Sequence, residues 1–268
     1  MKDETFVERV LHRLVKKHIS GTTMGSAISK AKELNDKNFL TSITYLSGSA
    51  DTKAKAKYST AAYSELIRRV GRLGLKASVH IYAEQLGSNI DRKLFVENVN
   101  EVLAAGNRYG VFLWLDLDPS EMYAAGEFEG AKGLGFVTYP ENARKYTRLY
   151  HAKSLKAVFG HSRAKSDDVL DEVNYLSEHA SNLVLASFPE SVVSKLLKNG
   201  KIKKRLTFEF GLGYGIKKLR KMAKRGASLS VNIPFGKDWT EYASRNLADG
   251  YMKFFIDKLL SEEKEERD

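Results

Sequence analysis

Eight short apolar runs recur along the chain, and between nearly all of them the apolar residues shift to helical spacing. The runs fall at 39–46, 76–83, 110–118, 134–139, 155–160, 183–188, 206–212 and 228–235. Near-continuous apolar strands that alternate with helices describe a parallel sheet covered by helices. Eight of them, evenly spaced, predict an α/β fold of the closed (β/α)8 TIM-like type. A doubly wound open sheet is the rival, but it does not need eight such strands. No Gly-x-Gly-x-x-Gly follows an early strand, which argues against a Rossmann dinucleotide site; Gly211-x-Gly213-x-Gly215 comes too late for one.

With 268 residues and 43% hydrophobic composition, the chain can bury one large core, so a single barrel domain over 1–268 is expected. Residues 5–37 read as two N-terminal helices broken at Ser20-Gly21-Thr22, and a further helix is expected at about 53–73. The segment 251–268 reads as an amphipathic helix with a charged tail. There is no run of about 18 apolar residues, so no membrane span is expected. The first residues are acidic and lack an apolar stretch, unlike a signal peptide. Without cysteine, neither a disulfide nor a thiolate nucleophile or metal ligand is available. The expected location is the cytoplasm, extending to a peripheral position at the inner face of the membrane.

A net charge of +11 raises nucleic acid as a partner, but no nucleic-acid-binding motif accompanies it. The positive charge is spread over helix-like segments, including 13–17, 195–205 and 217–225, and reads as a solvated basic surface that attracts acidic partners or anionic lipid weakly.

In a barrel of this type the catalytic face lies at the C-terminal strand ends. The polar residues expected there include Ser47, His80, Tyr82, Glu84, Asp116, Asp118 and Tyr139. Further along come His161, Arg163, Ser187, Glu209, Tyr214 and Asn232. Asp116 and Glu209 stand out, because a carboxylate in an apolar run is costly unless paired. For Glu209 the alternative to a functional role is a salt bridge inside the barrel. No His-x-His or close His/carboxylate pair supports a metal. Tyr242, Arg245 and Asp249 share one face of a helix by spacing. A guanidinium flanked by a phenol and a carboxylate can hold a substrate carboxylate in a bidentate fork. The plainer reading of the same spacing is a solvated helix with an internal ion pair.

Phe208-Glu209-Phe210-x-x-x-Tyr214-Gly215 is followed by Pro234-Phe235-Gly236-x-Asp238-Trp239-x-x-Tyr242-x-x-Arg245-x-Leu247-Ala248-Asp249. This stretch resembles the end of the proline dehydrogenase barrel. Weaker likenesses occur in the right order at Leu46-Ser47-Gly48, Ser78-Val79-His80, Leu115-Asp116-Leu117-Asp118, 155–160 and 185–188. The resemblance covers roughly residues 18–250. It implies an FAD-dependent oxidation of proline, or a related imino or amino acid, to pyrroline-5-carboxylate, by hydride transfer to the flavin and then to a quinone; FMN in place of FAD is the variant. Carried over by position, Arg245 grips the substrate carboxylate, Tyr242 packs over the ring with Tyr214 nearby, and Asp249 orients the arginine. Asp116 sits near the flavin and the substrate amine, with His80 where the family has a lysine. Lys156, His161, Arg163, Ser187 and Glu209 are the implied cofactor contacts. The chain departs from the family at Asn246, in place of a second carboxylate-binding arginine. Phe159 replaces a lysine, Phe188 a histidine and Gly211 a glutamine. The alternative reading is a barrel that kept the fold, lost flavin chemistry and binds a small carboxylate without redox activity.

Overall fold

The computed structural model describes residues 17–128, 130–139, 144, 153–159, 166–189, 191–199 and 204–238. Its strands are β1 (Leu40–Leu46), β2 (Ala77–Tyr82), β3 (Leu113–Asp116), β4 (Leu134–Thr138), β5 (Ser154–Val158), β6 (Asn182–Ala186), β7 (Leu206–Gly211) and β8 (Ser228–Gly236). They pair in chain order, each pair parallel, and β8 returns to β1, so the expected closed barrel is the observed one. The described helices are α1 (Met24–Asp36), α2 (Lys53–Arg72), α3 (Arg92–Tyr109), α4 (Ser166–His179), α5 (Ser191–Leu196) and α6 (Ile216–Lys224). Two 3-10 segments, Ala83–Leu86 and Pro119–Phe128, follow β2 and β3.

Local chemistry starts and stops these elements. Thr23, Thr52 and Asp91 cap α1, α2 and α3, each side-chain oxygen accepting a backbone N–H of the first turn at 2.7–3.2 Å. The run 110–118 yields only a four-residue strand. The Val111 amide turns back to the Gly106 carbonyl at 2.9 Å to close α3, and the Asp118 amide donates to Glu121 Oε2 at 2.9 Å.

Side chains alternate across each strand, and here the two faces differ in kind. The outward residues Ile43, Val79, Leu113, Leu115, Phe136, Leu155, Leu185, Phe208 and Val231 join helix residues such as Tyr63, Phe95, Val102, Val173 and Leu219 in one core. The inward positions carry Ser42, Thr44, Ser78, His80, Trp114, Asp116, Lys156, Glu209, Ser230 and Asn232, which bond one another across the lumen. The strands are therefore not uniformly apolar. Their outer face carries the hydrophobic signal, and the inward positions carry most of the strands' buried polar groups. Trp114 fills part of that lumen by lying on the backbone of β4. A Cβ at Gly135 would stand 2.5 Å from the Trp114 ring and 2.8 Å from the Ser154 carbonyl.

The sequence break at residues 20–22 does more than separate helices. The Ser20 amide donates to the Pro234 carbonyl at 2.9 Å, and the Gly236 amide donates to the Gly21 carbonyl at 3.1 Å. His18 Nδ1 donates to the Leu212 carbonyl at 2.8 Å. Residues 18–21 thus form a strap across the C-terminal ends of β7 and β8. Gly236 has φ 140°, and a Cβ there would stand 2.0 Å from the Leu46 carbonyl oxygen, so only glycine lets β8 close on β1 at the mouth.

Replacing Gly135 by valine forces Trp114 off the β4 backbone. The variant is expected to fold with the same secondary structure but lose about 1–3 kcal/mol of stability, an overpacking cost. Urea unfolding followed by circular dichroism measures this; wild-type stability would show that Trp114 does not rest on Gly135.

Candidate active site

Lys156 occupies the middle of β5, facing Val137 on one side and Val184 on the other in the strand register. Its Nζ donates to both carboxylate oxygens of Glu209, at 3.0 and 3.1 Å, and to Ser42 Oγ at 3.1 Å. It also stands 5.2 Å from the centre of the Trp114 ring. Ser230 Oγ donates to Glu209 Oε2 at 3.4 Å. Lys156 is 1% exposed and Glu209 5%. Two charges taken out of water this far are tolerable only because each answers the other and their remaining hydrogen-bonding capacity is met. Both residues were expected beside a cofactor; the structure joins them to each other in the barrel interior, which for Glu209 is the alternative that the sequence left open.

A second cluster lies nearer the C-terminal mouth. Asp116 is the last residue of β3, and its Oδ2 accepts the Nε2–H of His80 at 3.0 Å. The Tyr139 hydroxyl, just past β4, donates to the same carboxylate at 3.2 and 3.3 Å. The Tyr82 ring packs against the imidazole with centroids 4.8 Å apart. All of this fixes the imidazole through one nitrogen. Its Nδ1 is buried and has no hydrogen-bond partner in the structure, and a buried polar atom left so asks for an explanation. Beside this pair the Thr44 hydroxyl donates to Asn232 Oδ1 at 2.8 Å. The cluster can therefore hold or pass a proton at the imidazole and attract a cationic group at the carboxylate.

Further groups support this corner. The Tyr63 hydroxyl donates to Gln85 Oε1, and Gln85 Nε2 donates to the Tyr45 carbonyl at 3.1 Å, tying the turn after β2 to β1. Burial pushes the Tyr63 phenol far above its usual range. Burial also pushes the Glu121 carboxyl upward, with Asp118 and Glu84 adding like charge. Glu121 was not singled out in the sequence; its only signal is a carboxylate three residues after Asp118, at the start of a turn.

Other expected site residues are placed elsewhere. The Tyr214 ring stacks on Phe210 at 4.4 Å, with Lys218 Nζ 5.3 Å above it. Phe159 and Phe188 are buried in the outer core, Phe188 within 5.6 Å of the Phe208 ring and 5.4 Å of the Phe210 ring. Ser187 follows β6 with φ 55°, an uncommon backbone for a residue other than glycine. Outside the lumen, a cavity of about 460 Å³ lies beside the β1–β8 seam, walled by Tyr45, Ser47, Tyr58, Phe235 and Lys237. His161, Arg163, Tyr242, Arg245, Asn246 and Asp249 lie outside the described residues, as do 1–16 and 251–268. Among the described residues no helix is long and apolar enough to cross a membrane.

No family model matches the chain. It is similar to proline dehydrogenase 1 of Bacillus subtilis subsp. natto, with 21% identity over 87% of this chain and 86% of that protein. It is likewise similar to the proline dehydrogenase of Deinococcus radiodurans, with 23% identity over 92% of this chain and 89% of that one. Among solved structures, proline utilization A from Bdellovibrio bacteriovorus superposes with a TM-score of 0.71 at 14% identity, over 90% of this chain. The same protein from Corynebacterium freiburgense gives 0.68 at 13% identity, over 91% of this chain. The chain spans about a third of those two structures, at 33% and 32%, and the likeness to them is one of fold. Together these matches support a divergent relative of the proline dehydrogenases.

Because Lys156 and Glu209 neutralise each other without water, removing one alone strands a buried charge. Lys156→Met is expected to cost about 3–5 kcal/mol. The double change Lys156→Met with Glu209→Leu should recover most of that loss. Urea unfolding of both variants tests it; a double variant as unstable as the single one contradicts the interior pair as the source of the loss.

Proposed function

We propose that this relative of the proline dehydrogenases is an oxidoreductase that oxidises proline, or a related imino or amino acid, at the C-terminal mouth of its barrel. For proline the product is pyrroline-5-carboxylate. The observation that carries the reading is the His80–Asp116–Tyr139 cluster, set at the mouth of a closed parallel barrel in a chain alike to proline dehydrogenases along most of its length.

In this reading the substrate is a small zwitterion. The Asp116 carboxylate draws its amine, and His80, steered by Asp116, is the group through which the amine proton can leave. At the other end of the substrate, Arg245 takes the carboxylate in a planar fork, Asp249 orients the guanidinium, and Tyr242 covers the ring. Asn246 offers a neutral amide where the family has a second cation, so the carboxylate depends on one arginine. A charge-assisted bond of that kind is worth about 1.5–3 kcal/mol.

The proposed acceptor of the electrons is FAD, or FMN in its place, with a quinone beyond it. The described residues at β5 and β6 do not fit a flavin diphosphate. Lys156 is committed to Glu209 inside the barrel, and Phe159 and Phe188 are sunk among core side chains. The cations that could serve instead, His161 and Arg163, lie outside the described residues. That observation favours the second reading, a barrel that binds a small carboxylate without redox chemistry.

Two measurements separate the readings. Flavin absorbance in the purified protein, or a rise in melting temperature with excess FAD or FMN, is expected if the dehydrogenase reading holds; a colourless protein with no shift supports the second. Arg245→Ala should lower kcat/KM for proline by about two decades, of order 3 kcal/mol, and Arg245→Lys should not rescue it, since an ammonium cannot form the fork. Asp116→Asn should lower turnover at least as far while leaving carboxylate binding intact. Turnover with an artificial electron acceptor reports all three, and wild-type rates in Arg245→Ala would overturn the carboxylate clamp.

A further inference from the structure

Helix α2 changes character half-way along its length. The residues it buries are Ala56, Ser59 and Thr60 in its first half and Tyr63, Leu66, Ile67 and Val70 in its second. The second half fills the space beneath it with large side chains, and the first half does not. What remains is the cavity of about 460 Å³ beside the β1–β8 seam, which Ser59 and Ala62 also line. Lys55, Tyr58, Ser59 and Ala62 recur at i, i+3, i+4 and i+7, so a single face of α2 forms this wall. The start of α1 contributes Met24. Because α2 begins just past the C-terminal end of β1, the cavity lies level with the mouth but outside the barrel wall.

One layer of sheet separates the cavity from the lumen. Thr44 and Asn232 point inward and meet at 2.8 Å, whereas Tyr45 and Phe235, paired in the register of the same two strands, turn outward to the cavity. Their rings stack with centroids 5.0 Å apart and planes 23° from parallel. Tyr58, on the α2 wall, is 69% exposed, unusual for so large a ring. Burial pushes the Tyr45 phenol upward, with Tyr58 and Asp238 adding to the shift, so it stays a hydroxyl able to donate. The charged residues of the lining are Lys55, Lys237 and Asp238. Lys55 already meets Asp51 at 2.6 Å. Lys237 is exposed and enters none of the ion pairs among the described residues.

We propose that this cavity binds a flat aromatic carboxylate of one or two rings, at a site separate from the barrel mouth. Protein interiors are close-packed, so a hollow of this size between a helix and the wall it covers is an exception, and its volume falls in the range of small-molecule sites. A flat ring extends the Tyr45–Phe235 stack and covers the exposed face of Tyr58. Lys237 matches one negative charge, while the neighbouring Asp238 repels a second, which selects a carboxylate over a phosphate dianion. The site is independent of the chemistry proposed at the mouth, since proline has no aromatic ring to place against these walls.

The test is isothermal titration calorimetry of the full chain with 2-naphthoate. Binding is expected with a Kd on the order of 0.1–1 mM, and a large excess of L-proline should leave it unchanged. Lys237→Gln, a change at the surface, should weaken 2-naphthoate about tenfold and leave the neutral 2-naphthamide within about twofold of its wild-type affinity. Ala62→Leu keeps a strong helix former on α2 but fills the hollow, so it should abolish binding of both compounds while the circular dichroism stays that of the wild type. Lys237→Gln carries the test alone if Ala62→Leu does not fold. Absence of 2-naphthoate binding, or a folded variant of either kind that binds it like the wild type, overturns the proposal. So does displacement by L-proline, which would place the compound at the mouth.

Discussion

An ammonium and a carboxylate, shut away from water at the centre of the barrel, set the terms for much of the structure around them. Lys156 and Glu209 meet at 3.0 Å across the lumen from β5 and β7, and Ser42 and Ser230 answer their remaining hydrogen bonds from β1 and β8. An interior ion pair seldom outperforms a well-packed apolar core in net stability, but losing either partner is expensive. What it supplies is register. A slip of one residue in β5 or β7 would turn one charge outward into the apolar jacket and leave the other alone. The polar lumen and the apolar outer face are two consequences of one alternation.

The mouth cluster rests on that floor. Trp114 lies between the layers: its indole N–H donates to Ser78 Oγ at 3.2 Å, its ring faces Lys156, and two residues later the same strand presents Asp116. The carboxylate that engages His80 and Tyr139 is therefore held by a strand whose preceding inward residue is clamped in the lumen. A site built on strand ends backed by a filled lumen is stiff, and the turns around it, carrying Glu84 and Glu121, belong to 3-10 segments. Rigid positioning of this kind suits the small polar substrate proposed above.

His80, Asp116 and Tyr139 sit on or just past β2, β3 and β4, while the exposed cations of α6 follow β7. The strap at residues 18–21 crosses the ends of β7 and β8, joined to them by backbone hydrogen bonds.

The sequence alone carried the eight strands and the closed barrel, because the outward face of each strand is a repeating apolar signal and a helix must follow to cover it. It also marked Asp116 and Glu209, since a carboxylate within such a run needs a partner. It could not say which partner. His80 and Asp116 are 36 residues apart and Lys156 and Glu209 are 53 apart, and only the stagger of a closed barrel decides which inward side chains share a layer. Phe159, Phe188 and Tyr214 could be aligned by position, but whether each ring faced mouth or core was set by strand register and by the aromatic neighbours it met. The strap was legible merely as a break between helices, for it is held largely by backbone donors and acceptors that every residue possesses. Local patterning determines elements and faces; which polar groups meet across the lumen is a property of closure, and the tertiary structure alone decided it.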